Sequence, residues 1–294
     1  MPRICSRQAS CVIPYAGAKY IFEAVSSAIA QNFAEVIIIN DGFDPEPLAA
    51  LAQNPAIRIL NLPKSVGCAN ARNMGIKACA TPYVVLLDHD DVLGQGYFKA
   101  IAPWMERNQL RCAAATLRYI GENSGRVGAM VLRDANSFLP SGFLSEVSLI
   151  AEIGYFQDSY GDDLLFFRAI RKATPLTTCP DAGVLYRIHQ QAESSRNTKA
   201  WYAFSQLLPL HDQGSHTLAE INAMAREYAA KGTIPAGMES RLRGEESAVV
   251  RFLARSAYAC WLNRDLPGVA RYGFKLAGHT TELTRLARRK RGKP

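Results

Sequence analysis

The sequence predicts an α/β fold: a mostly parallel sheet with flanking helices, followed by a helical C-terminal module. Three observations carry this reading. Short apolar runs alternate with helix-period segments over the first ninety residues, the order that βαβ units require. Three of the runs end abruptly in marked residues, at Pro14, at Asn40-Asp41-Gly42 and at Asp88-His89-Asp90-Asp91. Beyond about residue 198, helix-period segments remain without strand-like runs.

The elements follow in order. Ser10-Cys11-Val12-Ile13 is an apolar strand stopped by Pro14. Ile21, Val25, Ala28 and Ile29 fall at helical spacing, so residues 18–31 read as a helix. Residues 35–39 form a second strand that runs into the turn signal Asn40-Asp41-Gly42. Residues 47–53 read as a short helix, and 57–60 as a third strand. A loop through Gly67 then leads into a helix over 69–78. Tyr83-Val84-Val85-Leu86-Leu87 is a continuous apolar run, the mark of a strand buried on both faces. Farther on, 113–118 and 127–132 read as strands joined by a hairpin turn at 121–125, and 182–185 as another strand.

The last hundred residues read as helical. Residues 217–230 form one helix. Residues 245–263 form another, and Leu266-Pro267-Gly268 separates it from a third running to about 286. Two helices joined by so short a break make an αα-hairpin. The expected organisation is an α/β domain over 1–198 and a helical extension with a basic tail over 199–294. The extension packs on that domain or forms a homodimer.

Composition narrows the class. With 294 residues, 48% of them hydrophobic and 20% charged, the chain can bury a full core. No run approaches the roughly 18 apolar residues of a membrane span, and the N-terminus lacks the apolar core of a signal peptide. The seven cysteines are scattered without C-x-x-C pairs, which points to reduced, mostly buried thiols in a cytoplasmic protein and away from zinc. The net charge of +8 is concentrated in one place. Residues 275–294 hold seven Lys and Arg against Glu282, a net +6, which leaves about +2 for the rest. The basic character therefore belongs to a tail and argues against a nucleic-acid-binding domain. Such a tail suits an anionic membrane surface, at roughly 1 kcal/mol per basic residue.

Parallel α/β sheets bind ligands beyond the carboxyl ends of their strands. Pro14, Asp41 and Asp88 all lie just past strand ends, on one edge. Three carboxylates at 88, 90 and 91 repel one another, and a hard divalent cation with oxygen ligands would relieve them. Neither the G-x-x-x-x-G-K-S pattern nor a G-x-G-x-x-G turn after the first strand is present, so the edge is neither a P-loop nor a dinucleotide site.

Five blocks in order carry a family resemblance: Val12-Ile13-Pro14, Ser27–Gln31, Val36–Gly42, Gly67-Cys68-Ala69-Asn70-Ala71-Arg72-Asn73-Met74-Gly75 and Leu87–Asp91. They resemble the N-terminal half of family 2 of the inverting, nucleotide-sugar-dependent glycosyltransferases, which have the Rossmann-like GT-A fold. The resemblance extends over about residues 10–195.

It implies roles by position. Pro14, Tyr15, Asp41, Arg72 and Asp88 would bind the donor. Asp41 would recognise the base or ribose, and Arg72 would lie near the phosphates, where a guanidinium binds bidentately. Asp88 and Asp90 match the D-x-D motif, with Asp90 ligating Mn²⁺ or Mg²⁺ and Asp91 capping the next loop or helix. Gly161-Asp162-Asp163 opens the catalytic helix, with Asp162 in place of the family's Glu, and Asp163 is the general base. Tyr186-Arg187-Ile188-His189 matches a Tyr-Arg-x-His block whose His can ligate the metal. Asp162, Ser194 and Arg196 fall on the acceptor side or in a lid. Asn40-Asp41-Gly42-Phe43 departs from the family's Asp-Asp-Gly-Ser.

The implied activity is metal-dependent inverting transfer from a nucleotide sugar, UDP-linked by expectation, to a hydroxyl on a saccharide, lipid-linked saccharide or protein. A cytoplasmic enzyme of cell-envelope polysaccharide synthesis, peripheral at the inner membrane face, fits the tail. The alternative is a non-catalytic nucleotide-sugar-binding or membrane-peripheral scaffold that kept the fold.

Overall fold

The computed structural model describes residues 4–17, 19–121, 130–131, 139–189 and 198–231. Its elements are β1 (Ala9–Tyr15), α1 (Ile21–Ile29), β2 (Glu35–Asn40), β3 (Ile57–Asn61), α2 (Cys68–Ala78), β4 (Tyr83–Leu86), β5 (Val92–Leu93), α3 (Tyr97–Arg107), β6 (Cys112–Gly121), β7 (Met130–Val131), β8 (Phe143–Glu146), α4 (Val147–Glu152), α5 (Asp162–Ala173), β9 (Thr178–Ile188), α6 (Thr198–Asp212) and α7 (Leu218–Lys231).

One sheet runs β3-β2-β1-β4-β8-β6-β9-β5, with β7 paired to β6. Its first half is parallel: β1 pairs with β2 and β4, and β2 with β3. Beyond β4 it turns antiparallel, in the pairs β4–β8, β6–β8, β6–β7 and β5–β9. A parallel-dominant βαβ half with an antiparallel continuation is the GT-A arrangement. It sets the ends of β1, β2 and β4 on one edge.

The unbroken apolar runs are explained by burial on both faces. Cys11, Ile13, Val36, Ile38, Val85 and Leu87 pack to one side with α1 and α3. Val12, Ile37, Ile39, Val84 and Leu86 pack to the other with α2, α4 and α5. Alternate residues go to alternate faces, as the strand period demands. Gly75 lets α2 approach closely, because a Cβ there would lie 2.3 Å from Cγ1 of Val12.

Several expectations are corrected. Residues 47–53 are not one helix but two single 3₁₀ turns, Glu46–Leu48 and Leu51–Gln53; so short a segment repays little of the cost of nucleating an α-helix. The first helix is shorter than expected, at Ile21–Ile29. α3 and β5 were not anticipated. α3 follows Gly96 in a left-handed conformation and carries Pro103 in its interior, both of which read locally as breakers. β6 and β9 run longer than expected. β7 lies within the expected 127–132 strand and pairs Leu117 with Val131; the turn at 122–125 lies outside the described residues.

The chain divides into two compact units. One comprises residues 1–118, 130–158 and 162–187, and the other 119–129, 159–161 and 188–294. In the second unit α6, which was not anticipated, and α7, which was, pack on one another. Phe204, Leu207, Ile221 and Ala225 are buried. A capping box starts α7: the N–H of Glu220 donates to the Thr217 hydroxyl, and the Glu220 carboxylate accepts from the Thr217 N–H. The expected hairpin at 245–286 and the basic tail lie outside the described residues. No helix among the described residues is long and apolar enough to cross a membrane.

Candidate active site

α2 opens beside the carboxyl edge, and its Ala-Arg-Asn block divides three tasks. Ala71 is fully buried against the sheet. Asn73 grips the backbone of Phe156: its Nδ2 donates to the carbonyl at 2.8 Å and its Oδ1 accepts the N–H at 2.9 Å. That grip fixes the turn at Gly154-Tyr155, where both residues have positive φ. The turn precedes α5. The Phe156 ring stacks on Phe166 of α5 with centroids 3.8 Å apart.

Arg72, only 5% exposed, reaches into the edge and gathers three carboxylates. Nη2 donates to Asp88 at 2.7 Å, and Nη1 to Asp162 at 3.3 Å and Asp163 at 3.4 Å. Its Nε is buried without a hydrogen-bond partner. Burial works against the charge of Arg72, but Asp88, then Cys68, Asp163 and Asp162, outweigh it, and the guanidinium pKa is held well above its ordinary value. Arg72 is thus a fixed cation between the end of β4 and the start of α5. Asp162 and Asp163 begin α5, where helix N–H groups favour negative charge; the Asp163 N–H donates to Asp162 Oδ1 at 2.8 Å.

The D-x-D segment is anchored from three sides. The Asp88 N–H donates to the buried Ser141 hydroxyl at 2.9 Å. His89 Nδ1 lies 2.8 Å from the Pro14 carbonyl, which can only accept, so the imidazole donates there. Arg187 donates through Nε to the Asp90 carbonyl at 2.9 Å, and its guanidinium also reaches Glu23 and lies 4.1 Å above the Tyr20 ring. Asp91 does not cap the following loop, as expected, but reaches across to β9. It is 1% exposed and accepts the Arg187 N–H at 2.8 Å. Burial, then Asp90 and Asp88, push its carboxyl well above the usual carboxylate range.

Among the described residues, no three His, Cys, Asp or Glu side chains form a ready cation cage. Mg²⁺ is commonly held by one or two carboxylates plus substrate phosphates. Asp88 and Asp90, half-buried past β4, suit a cation shared in that way. The Oδ2 atom of Asp91, buried without a hydrogen-bond partner beside Asp90 and Asp88, is an orphaned acceptor that such a cation would suit.

Other expected donor residues serve the frame. Asp41, 5% exposed, spends its carboxylate on the loop before α2, accepting from the Ser65 hydroxyl at 2.7 Å, the Val66 N–H at 2.7 Å and the Gly67 N–H at 3.1 Å. Pro14 and Tyr15 are buried, and the Tyr15 ring belongs to the core rather than to an open cleft. His189 is half-buried just past β9, in the second unit. Ser194 and Arg196 lie outside the described residues. Ser141, Asn73, His89 and the Arg187 side chain are contributors that the sequence reading gave no role. His89, Asn73 and Arg187 stood inside quoted blocks, but nothing local told what their side chains would meet.

Comparison with known proteins bears on the family and the fold. Residues 10–150 match the family model described as Glycosyl transferase family 2. The chain is 29% identical over 224 residues to the uncharacterized glycosyltransferase YwdF of Bacillus subtilis (strain 168), covering 71% of this chain and 75% of that one. It is 23% identical over 223 residues to an uncharacterized glycosyltransferase of Haemophilus influenzae, covering 65% and 68%. Among solved structures, S. aureus TarS 1-349 in complex with UDP-GlcNAc aligns with a TM-score of 0.58 at 16% identity, over 84% of this chain and 80% of that one. TarS 1-349 in complex with UDP aligns with a TM-score of 0.54 at 17% identity, over 93% and 91%.

Proposed function

We propose that this chain, whose residues 10–150 match the Glycosyl transferase family 2 model and whose fold is GT-A, is a family 2 glycosyltransferase that transfers a sugar with inversion from a UDP-sugar to a hydroxyl on a saccharide, lipid-linked saccharide or protein. One observation carries the reading: a single buried guanidinium, Arg72, holds a donor-side carboxylate, Asp88, together with the carboxylate pair that opens α5. Asp163 takes the proton of the acceptor hydroxyl as that oxygen attacks the anomeric carbon. The bond from that carbon to the diphosphate breaks with its electron pair, and the nucleotide leaves. Arg72 orients the base and faces the diphosphate side. Asp90 would hold a Mn²⁺ or Mg²⁺ ion, which when bound neutralises charge on the departing diphosphate. The UDP-GlcNAc and UDP complexes of TarS, a protein of the same fold, support the donor class.

A thermal-shift panel of nucleotides and nucleotide sugars, with and without Mn²⁺, tests this. UDP at about 100 times its Kd adds roughly 2.7 kcal/mol, a rise on the order of 5 °C. The expected result is a Mn²⁺-dependent shift with UDP and its sugar conjugates. No shift with any nucleotide overturns the donor site.

The C-terminal charge, +6 over residues 275–294, supports a place at the inner membrane face. Deleting residues 285–293 is expected to abolish binding to anionic liposomes. Undiminished binding rejects that role for the tail.

A further inference from the structure

Phe43 is the aromatic residue that stands where the usual Asp-Asp-Gly-Ser block has a serine. It is 43% exposed. The other large hydrophobic side chains left in solvent among the described residues, Phe22, Ile29, Met74 and Trp201, lie on helices. Phe43 instead follows β2 on the carboxyl edge, two residues after Asp41.

The ring is presented rather than merely loose. Asn40, 1% exposed, clamps the Phe43 backbone: its Nδ2 donates to the Phe43 carbonyl at 2.9 Å and its Oδ1 accepts the Phe43 N–H at 3.1 Å. The same amide also donates to Asn61 Oδ1 at 2.9 Å. An aspartate at position 40 could not donate these two bonds when ionised, so the two departures at 40 and 43 belong together. On one side the ring rests against Gly17. A Cβ there would lie 2.7 Å from Phe43 Cδ1, so any side chain at 17 would push the ring away.

The surroundings say what the exposed part of the ring meets. The Asp41 N–H donates to the Tyr15 carbonyl at 3.0 Å, and the neighbouring Pro14 carbonyl accepts from His89. Phe43, Asp41, His89 and Asp88 therefore lie over the ends of β2, β1 and β4, which are consecutive in the sheet. Neighbouring strands are about 4.8 Å apart, so β2 and β4 are separated by about 10 Å. A nucleoside with its first phosphate bridges that distance, putting its base at β2 and its phosphates toward Asp88 and Asp90. The carboxylate of Asp41 already accepts from three donors and keeps one acceptor position on Oδ1, which leaves the flat face of the base in need of another hold. An aromatic face suits it, because every base has a π-face to stack.

We propose that Phe43 is the stacking platform for the nucleobase of the sugar-nucleotide donor. The inference rests on the donor-site reading above. The ring is preset by Asn40 and Gly17, so little ordering is required on binding.

The test is calorimetric titration of the full chain with UDP and, separately, with inorganic pyrophosphate, both with Mn²⁺. Phe43→Ala is expected to raise the Kd for UDP roughly 5- to 150-fold while leaving that for pyrophosphate unchanged, because pyrophosphate has no base to stack. Phe43→Trp is expected to keep near-wild-type UDP affinity and to show fluorescence quenching by UDP that the wild type lacks. Unchanged UDP affinity in Phe43→Ala overturns the assignment. So does equal weakening of UDP and pyrophosphate, or indole emission in Phe43→Trp that ignores UDP. If the wild type binds no nucleotide at all, the donor site itself fails, and the stacking role with it.

Discussion

Asp163→Asn is expected to reduce kcat by about 10²–10⁴-fold, the usual worth of a general base, while UDP-sugar affinity stays near that of the wild type. Asparagine keeps the shape of the side chain but cannot take a proton from the acceptor hydroxyl. Donor binding should survive because the 2.7 Å contact between Arg72 and Asp88 remains. Asp162→Asn provides the contrast. Asp162 shares Arg72 and accepts the Asp163 N–H, so it positions the base and its loss should be milder. Initial rates with a series of acceptors, together with nucleotide titration, check both. Full turnover in Asp163→Asn removes it as the base, and a parallel loss of donor affinity shows that it acts on binding instead.

Arg72→Met is expected to destabilise the protein by about 3 kcal/mol, the lower end of the range for removing one partner of a buried ion pair. The side chain of Arg72 is 7% exposed, whereas those of Asp88, Asp162 and Asp163 are 20–29% exposed. Water therefore screens part of the repulsion left behind, which places the effect at the low end. Arg72→Lys should recover only part of the loss, because a single ammonium cannot reproduce the planar fork that spans three carboxylates. Urea unfolding with a shared m-value measures the difference. A Met variant within about 1 kcal/mol of wild type, the ceiling for exposed pairs, would mean that Arg72 holds nothing together. The same substitution should also weaken UDP binding, because it removes a buried cation beside the proposed diphosphate position.

The sequence by itself determined the βαβ half and its ligand edge. The runs in β1, β2 and β4 are apolar on both faces, so their strand character is local and survives any context. Asp41 and Asp88 lie past the ends of β2 and β4, whereas Pro14 does not stop β1, which stays paired through Tyr15. Parallel pairing then forced those ends to one side. The D-x-D segment and the paired aspartates at the start of α5 were legible as chemistry because carboxylates are rarely clustered without cause.

Tertiary structure alone decided which of these groups meet and which are already occupied. Arg72 and Asp163 are 91 positions apart, and no local pattern could announce that one guanidinium would join them to Asp88. Asp41 reads in sequence as a contact to the base or ribose, and only the fold shows that the loop at 65–67 comes back to donate to its carboxylate. Tyr15 reads in sequence as a donor contact, and only the fold shows that strand alternation places its ring in the core cluster. Asp91 looked like a cap and instead receives β9. Phe43 read as a departure from a motif until Asn40 and Gly17 were seen to hold its ring at the edge. The physical reason is the same in each case. Strand and helix character follow from neighbours in sequence, whereas the partner of a buried polar or aromatic side chain is set by which distant segment the topology brings within hydrogen-bond or van der Waals reach.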